Sequence, residues 1–119
     1  MSKFVDPYPE ATLPELHRRM VTRSRTFAMS RMMARGHDGF ANDLRDICDT
    51  IIIRCVQMQR EGKKESRGIF KTVAKVDPKT GKVVLNARGR PETEPVIQSL
   101  DEVKDGAWRC METHGLLLT

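Results

Sequence analysis

FANDLRDICDTIIIRCVQMQRE, residues 40–61, is the stretch whose reading decides the fold. Leu44, Cys48, Ile51, Cys55 and Met58 recur at steps of four and three, and Phe40, Ile47, Ile52 and Val56 widen the same stripe. That spacing gathers apolar side chains on one side of an α-helix, which must then bury that side against something else. Asp43, Asp46 and Asp49 fall in its first half and Arg54 and Arg60 in its second, the arrangement that suits the helix dipole. Because the aspartates recur every three residues they drift around the helix rather than converge, so they read as dipole and solubility charges.

On the N-terminal side, Gly36-His37-Asp38-Gly39 reads as the turn of a helical hairpin, preceded by a first helix over residues 12–35. Thr12-Leu13-Pro14-Glu15 has the form of a capping box, and proline is tolerated in a first helical turn. Leu13, Leu16, Met20, Phe27 and Ala34 form its inward stripe, with Val21, Ala28 and Met32 on an adjoining line. The second line predicts a helix covered on more than one side. Residues 1–11, with Pro7, Tyr8 and Pro9, read as an extended arm.

On the C-terminal side the periodicity changes. A charged linker, residues 62–68, leads to strand-like runs at 69–76 and 82–87 flanking Asp77-Pro78-Lys79-Thr80-Gly81, whose Asp-Pro opening and late glycine suit a hairpin loop. Phe70, Thr72, Ala74 and Val76 share one side of the first run, Lys71 and Lys75 the other. Residues 88–95 read as a second linker. A last helix over residues 99–114 begins with Ser99 and Glu102 as a capping box, turns Leu100, Val103, Ala107, Trp108 and Met111 inward, and ends at Gly115. Leu116-Leu117-Leu118 either folds back on the core or docks into another subunit.

The expected fold is therefore α+β and mainly helical: a helical hairpin, a β-hairpin over 69–87 and a C-terminal helix, as one domain over residues 12–119. A length of 119 residues suits one domain and a core that needs no staple. An isolated two-stranded hairpin is marginal alone. With the two-lined first helix, this predicts a homodimer. Apolar residues make up 39% and aromatics 5%, so the core is aliphatic and methionine-rich, and rings for stacking bases are scarce. That scarcity favours double-stranded over single-stranded nucleic acid as a ligand.

Charge carries the functional signal. The chain is +5 overall, but residues 1–39 hold seven basic and four acidic groups, whereas residues 63–90 hold nine and two. Between Leu16 and His37 stand Arg18, Arg19, Arg23, Arg25, Arg31 and Arg35 without one carboxylate, interleaved with Thr22, Ser24, Thr26 and Ser30. The guanidinium fork matches phosphate oxygens, and short hydroxyls add backbone contacts that position a protein on a duplex. Arg31 and Arg35 have Asp43, Asp46 and Asp49 as partners across the helical hairpin, leaving Arg18, Arg19, Arg23 and Arg25 as candidate phosphate ligands. The second set is Lys63, Lys64, Arg67, Lys71 and Lys75, with Lys79 and Lys82 beyond them. A two-stranded ribbon can enter a major groove and its lysines follow phosphates, though lysines also keep an exposed strand edge soluble. Arg88-Gly89-Arg90-Pro91 resembles the core of AT-hook peptides, which lay Arg-Gly-Arg along an AT-rich minor groove. The resemblance covers four residues. Ala87 stands where that motif has a proline, and Glu92 and Glu94 follow, so the stretch is read as linker.

No phosphate-cradling glycine loop or nucleophile elbow occurs, and the three histidines are widely separated, so no catalysis, cofactor or metal is expected. Three cysteines without a CxxC predict reduced thiols and a cytoplasmic location. Cys48 and Cys55, seven apart on one helix, lie roughly 10 Å apart, beyond disulfide reach. The expected activity is non-catalytic binding of duplex RNA or DNA. The competing expectation is an inhibitor or adaptor whose arginine-rich helix docks on an acidic protein.

Overall fold

A computed structural model describes residues 5–33 and 37–117, leaving out the side chains of residues 30–33, 37, 38 and 40. Helix α1 (Leu13–Met33) and helix α2 (His37–Arg60) form the helical hairpin, strands β1 (Glu65–Ala74) and β2 (Thr93–Ser99) pair antiparallel, and helix α3 (Leu100–Thr113) closes the chain. About half of the residues are helical. The core is the set of stripes the periodicity marks out. Leu16, Met20 and Phe27 of α1 meet Leu44, Ile47, Cys48, Ile51 and Cys55 of α2 and Leu100, Val103, Ala107 and Met111 of α3, with Ile69 of β1 beneath. Leu116 and Leu117 fold back onto this cluster.

Helix ends follow the capping signals. Thr12 Oγ1 accepts from Glu15 N at 3.3 Å. Ser99 Oγ accepts from Glu102 N at 3.1 Å while Glu102 Oε1 accepts from Ser99 N at 3.2 Å, a complete capping box. Helix α2 begins at His37 rather than Phe40, taking Gly39 into its first turn. The segment before α1 is docked on α2 instead of extending away. Arg54 on α2 gives Nε–H to Asp6 Oδ2 at 2.7 Å and its two remaining nitrogens to the Ala11 and Tyr8 carbonyl oxygens. Tyr8 and Ala11 pack on the core.

The strand pairing differs from the expected one. Residues 69–76 were expected to pair with 82–87; β1 instead takes β2 as its partner, in the register Phe70↔Ile97, Lys71↔Val96, Thr72↔Pro95, Val73↔Glu94 and Ala74↔Thr93. The stretch read as a second linker is thus partly a strand. Its Pro95 disguises it, since proline cannot donate to a ladder and is tolerated only at an edge, and a two-stranded sheet is all edge. Between Ala74 and Thr93 the chain makes two successive tight turns. Asp77 N donates to Lys82 O at 2.9 Å and Gly81 N to Asp77 O at 2.8 Å, so the Asp77–Gly81 turn forms as its residues imply. Asn86 Oδ1 then accepts from Arg88 N and Arg90 N, closing a second turn. At their base Val84 N donates to Lys75 O, Lys75 N to Glu92 O and Glu92 N to Val84 O, a closed ring of three bonds of 2.8–2.9 Å. Of the expected pairing with residues 82–87, the isolated antiparallel bridge Val76↔Val83 forms, while Leu85 bridges Pro91 within the tip, outside both strands.

A bulge between Glu65 and Phe70 decides which side of the hairpin meets the helices. Gly68 sits there with φ +86°, and a Cβ on it would meet Pro14 Cγ of α1 at 3.2 Å. Buried Ser66 bridges the distortion, donating to Gln98 O at 2.8 Å. As a result Ile69 is buried and Phe70 is 58% exposed, so the side carrying Phe70, Thr72 and Ala74 faces outward. Trp108 is also outward, 49% exposed with Nε1–H on Glu112 Oε1. The inward positions of α3 run Leu100, Val103, Ala107, Met111, and the next residue after Ala107 is turned by about 100°. Likewise Val21 and Ala28, expected to be covered, are exposed.

From Lys71 to Pro95 only Val73, Asp77, Val84 and Glu92 are even partly covered, so the hairpin stands off the helices. The Cα radius of gyration is 17.4 Å, against about 13.5 Å expected for a compact chain of this length.

Candidate nucleic-acid interface

The arginines of α1 divide between two flanks. Around the helix Arg18 and Arg25 are only about 20° apart and Arg19 and Arg23 stand roughly 100° or more from them on the side of α2, yet Arg18, two turns nearer the N-terminus than Arg25, borders the same cleft as Arg19 and Arg23. Arg18, Arg19 and Arg23 line a cleft of about 530 Å³ with Tyr8, Glu15, Thr22, Asp43 and Ile47. The Arg19 guanidinium lies 5.8 Å above the Tyr8 ring, and Arg23 Nη1 is 3.7 Å from Asp43 Oδ2. Tyr8 is half-buried there; burial first, then the Asp43 and Asp46 carboxylates, pushes its phenol up, so the ring stays neutral beneath the cation. Arg25 lies away from this cleft, on a shallow hollow with Met20, Val21, Ser24 and Cys110. The expectation that Arg23 lacks an acidic partner is corrected by Asp43, which the helical hairpin brings across from α2. The pairings expected of Arg31 and Arg35 lie outside the described side chains.

The second predicted set separates as well. Lys63 Nζ is 3.1 Å from Glu61 Oε2, and Lys71, on the side facing α3, pairs with Glu102. Lys64 is exposed at the mouth of the hairpin. Arg67 is exposed too, over an apolar hollow lined by Leu13, Pro14 and Met58. Lys75 is exposed at the base of the double turn.

Beyond Lys75, the Lys79 and Lys82 of the second basic set are joined on the same tip by Arg88 and Arg90, which the sequence places in a linker. Lys75, Lys79, Lys82, Arg88 and Arg90 all stand exposed on the double-turned tip, with Asp77 and Glu92 its only carboxylates. Among the described residues none of these five cations makes an ion pair, and the backbone bonds of residues 76–91 stay within the tip itself. Phe70, Val76, Val83 and Leu85 stand exposed along the same arm. The signal that could have located this set was the density of turn-formers, Asp77-Pro78, Gly81, Asn86 and Gly89: two turns in sixteen residues imply a folded tip rather than a strand and a linker.

The chain matches no family model, no curated protein and no solved structure. Among the described residues no helix is long and apolar enough to cross a membrane.

Proposed function

We propose that this protein is a non-catalytic nucleic-acid-binding protein that grips a duplex with its β-arm and uses the α1 arginines as a second phosphate contact. The observation that carries the reading is the tip: five cations on an arm projected away from the helices, without ion-pair partners among the described residues. Exposed cations held on a protruding two-stranded support are what a polyanion needs, since each phosphate neutralised releases counterions. The major groove of B-form DNA, about 12 Å wide, admits a two-stranded ribbon, whereas that of A-form RNA is too narrow for side chains to read. Duplex DNA is therefore preferred over duplex RNA.

The competing reading, docking on an acidic protein, draws on Val76, Val83 and Leu85 among the tip cations, because a nucleic-acid backbone gives such side chains little to bury against. The same apolar residues are the surface a second copy of the chain would cover in a homodimer.

Titration against labelled double- and single-stranded DNA and RNA, at low and near-physiological salt, tests the proposal. With six to ten phosphate contacts, affinity for duplex DNA falls about three to five decades between the two salts. Changing Lys75, Lys79, Lys82, Arg88 and Arg90 to serine removes most of the binding and flattens the salt dependence, while the helical circular dichroism is unchanged. Absence of binding to any of the four nucleic acids at low salt overturns the reading and turns attention to an acidic protein.

A further inference from the structure

The residues of the arm sort by side, because directly opposed residues of an antiparallel pair share a face and alternate residues along a strand return to it. Phe70↔Ile97, Thr72↔Pro95 and Ala74↔Thr93 therefore stand on one face. The two isolated bridges continue it. Val76, two residues beyond Ala74, opposes Val83; Leu85, two beyond Val83, opposes Pro91, which is itself two before Thr93. The alternation closes on itself around the double turn, so this face runs unbroken from Phe70 to the tip. None of its ten side chains is charged. Nine are exposed, and Ile97 is half-buried.

The other face carries Lys71, Lys75, Lys82, Glu92 and Glu94, and it is the one turned toward the body, with Lys71 on Glu102 of α3. This inverts the usual arrangement, in which an antiparallel sheet packs its apolar face on the core and leaves the charged one to water. An apolar face of this extent on an exposed arm marks an interaction surface.

We propose that the uncharged face of the arm is a dimer surface, covered by the same face of a second copy with the two arms packed face to face and antiparallel. Charge selects this occupant. A nucleic acid or an acidic protein needs cations opposite it, and this face has none; the cations of the arm lie on its turns and its other face. An identical uncharged ribbon strands no charge when it closes, and it supplies the second layer that a two-stranded sheet lacks. Charge also sets the direction. Parallel arms would bring the five cations of each tip side by side. Antiparallel arms keep the tips at opposite ends and seat Val76 and Val83 of one copy over Phe70 and Ile97 of the other. Ten residues a copy falls short of the roughly 20–30 of a standard interface, so the dissociation constant is about 10–100 µM. The chain is then monomeric at the low micromolar concentrations of an unfolding experiment. The inference goes beyond nucleic-acid binding and does not rest on it, since the tip cations stay outside the dimer.

Sedimentation equilibrium of the full-length chain from about 1 µM to 1 mM, at low and high salt, tests this. The expected result is a monomer–dimer equilibrium that holds or tightens as salt rises, because screening relieves the repulsion between two cationic arms. Phosphate contacts respond to salt with the opposite sign. Val83→Lys sets a charge on the face and weakens the dimer by about 30-fold or more, whereas Lys82→Ser, on the other face, changes it less than about twofold. Phe70→Ser weakens it from the far end of the face, so the outcome does not hang on the folding of one variant. In a mixture of labelled and unlabelled chains, isotope-filtered NOEs are expected between the Val83 methyls of one copy and the Phe70 ring of the other. A monomer at every concentration overturns the proposal. So does a dimer that weakens with salt, one that Val83→Lys and Phe70→Ser leave intact, or one whose NOEs join Val83 to Val83.

Discussion

Phe27 and Leu85 are both large apolar residues, yet Phe27 is 1% exposed in the core shared by the three helices while Leu85 is 58% exposed near the end of the β-arm. Around Phe27, every element turns an apolar stripe toward the others, and burial of those stripes supplies the stability. Around Leu85, shape comes from turn chemistry instead: the Asp77 and Asn86 side chains accept from the backbone of their own turns, and a ring of three backbone bonds ties Lys75, Val84 and Glu92. A segment held this way needs no core beneath it, so it can carry cations. On the helical body, by contrast, Arg19 lies over Tyr8 and Arg23 beside Asp43. The two regions therefore answer to different kinds of substitution.

Truncating the two apolar residues separates the regions most widely. Phe27→Ala removes a ring from a closed core and is expected to lower the unfolding free energy by about 3–5 kcal/mol, while Leu85→Ala stays within about 0.5 kcal/mol. Urea unfolding followed by circular dichroism measures both; a comparable loss for Leu85→Ala would mean that the tip is packed against something. Next in size comes Arg54→Ala. It removes a half-buried guanidinium that holds Asp6 and the Tyr8 and Ala11 carbonyls, and the expected loss is about 2–3 kcal/mol. Amide exchange of residues 6–11 should rise in the same variant, with the arm unaffected. Lys at position 54 does not restore the three contacts, because they use the planar fork.

These contrasts also mark where the sequence was readable. The body was legible because an amphipathic helix repeats its signal over several turns: Leu44, Cys48, Ile51 and Cys55 all say the same thing. Trp108 was misplaced because a tryptophan beside the stripe resembles one on it, and only the packing of α3 fixes a 100° difference. In the arm each turn is signalled once, so the turns were recognisable but the strand partner was not. Choosing between 82–87 and 93–99 as the partner of β1 depends on how two successive turns return the chain, which is a tertiary outcome. The candidate interface shared that fate. Arginines on α1 were visible as a run, but Arg23 meets Asp43 only through the helical hairpin. Arg88 and Arg90 became arm residues only once β2 was placed.

A smaller effect separates two glycines of the hairpin. Gly68 and Gly81 both have positive φ, +86° and +69°. Only Gly68 has a neighbour in the way, Pro14 Cγ at 3.2 Å from a built Cβ, whereas Gly81 faces open space. Gly81→Ala is expected to lose about 1 kcal/mol through backbone strain alone, and Gly68→Ala about 2 kcal/mol because the bulge and α1 must also separate. Equal losses would show that the hairpin base yields freely at Pro14, and the docking of arm on body would need another explanation.

The smallest effect concerns Lys71, the predicted phosphate ligand that the fold commits to Glu102. The hydrogen bond from Lys71, reinforced by the Ser99 backbone amide, holds the exposed Glu102 carboxyl below the ordinary glutamate range. A carboxylate lowered in this way contributes stability above its unfolded-state value and loses it as pH falls through the folded one. Because the pair is open to solvent, Lys71→Met should leave the neutral-pH unfolding midpoint nearly unmoved. Its effect belongs to the acid titration: followed by carbon NMR, Glu102 rises toward its ordinary value yet stays below it, since Ser99 N–H still donates at 3.2 Å. If Glu102 does not move, Lys71 is unpaired in solution and rejoins the tip cations as a candidate phosphate contact. Duplex affinity of Lys71→Met reads the same alternative from the other side, with a loss matching that of a single tip lysine only if Lys71 is free.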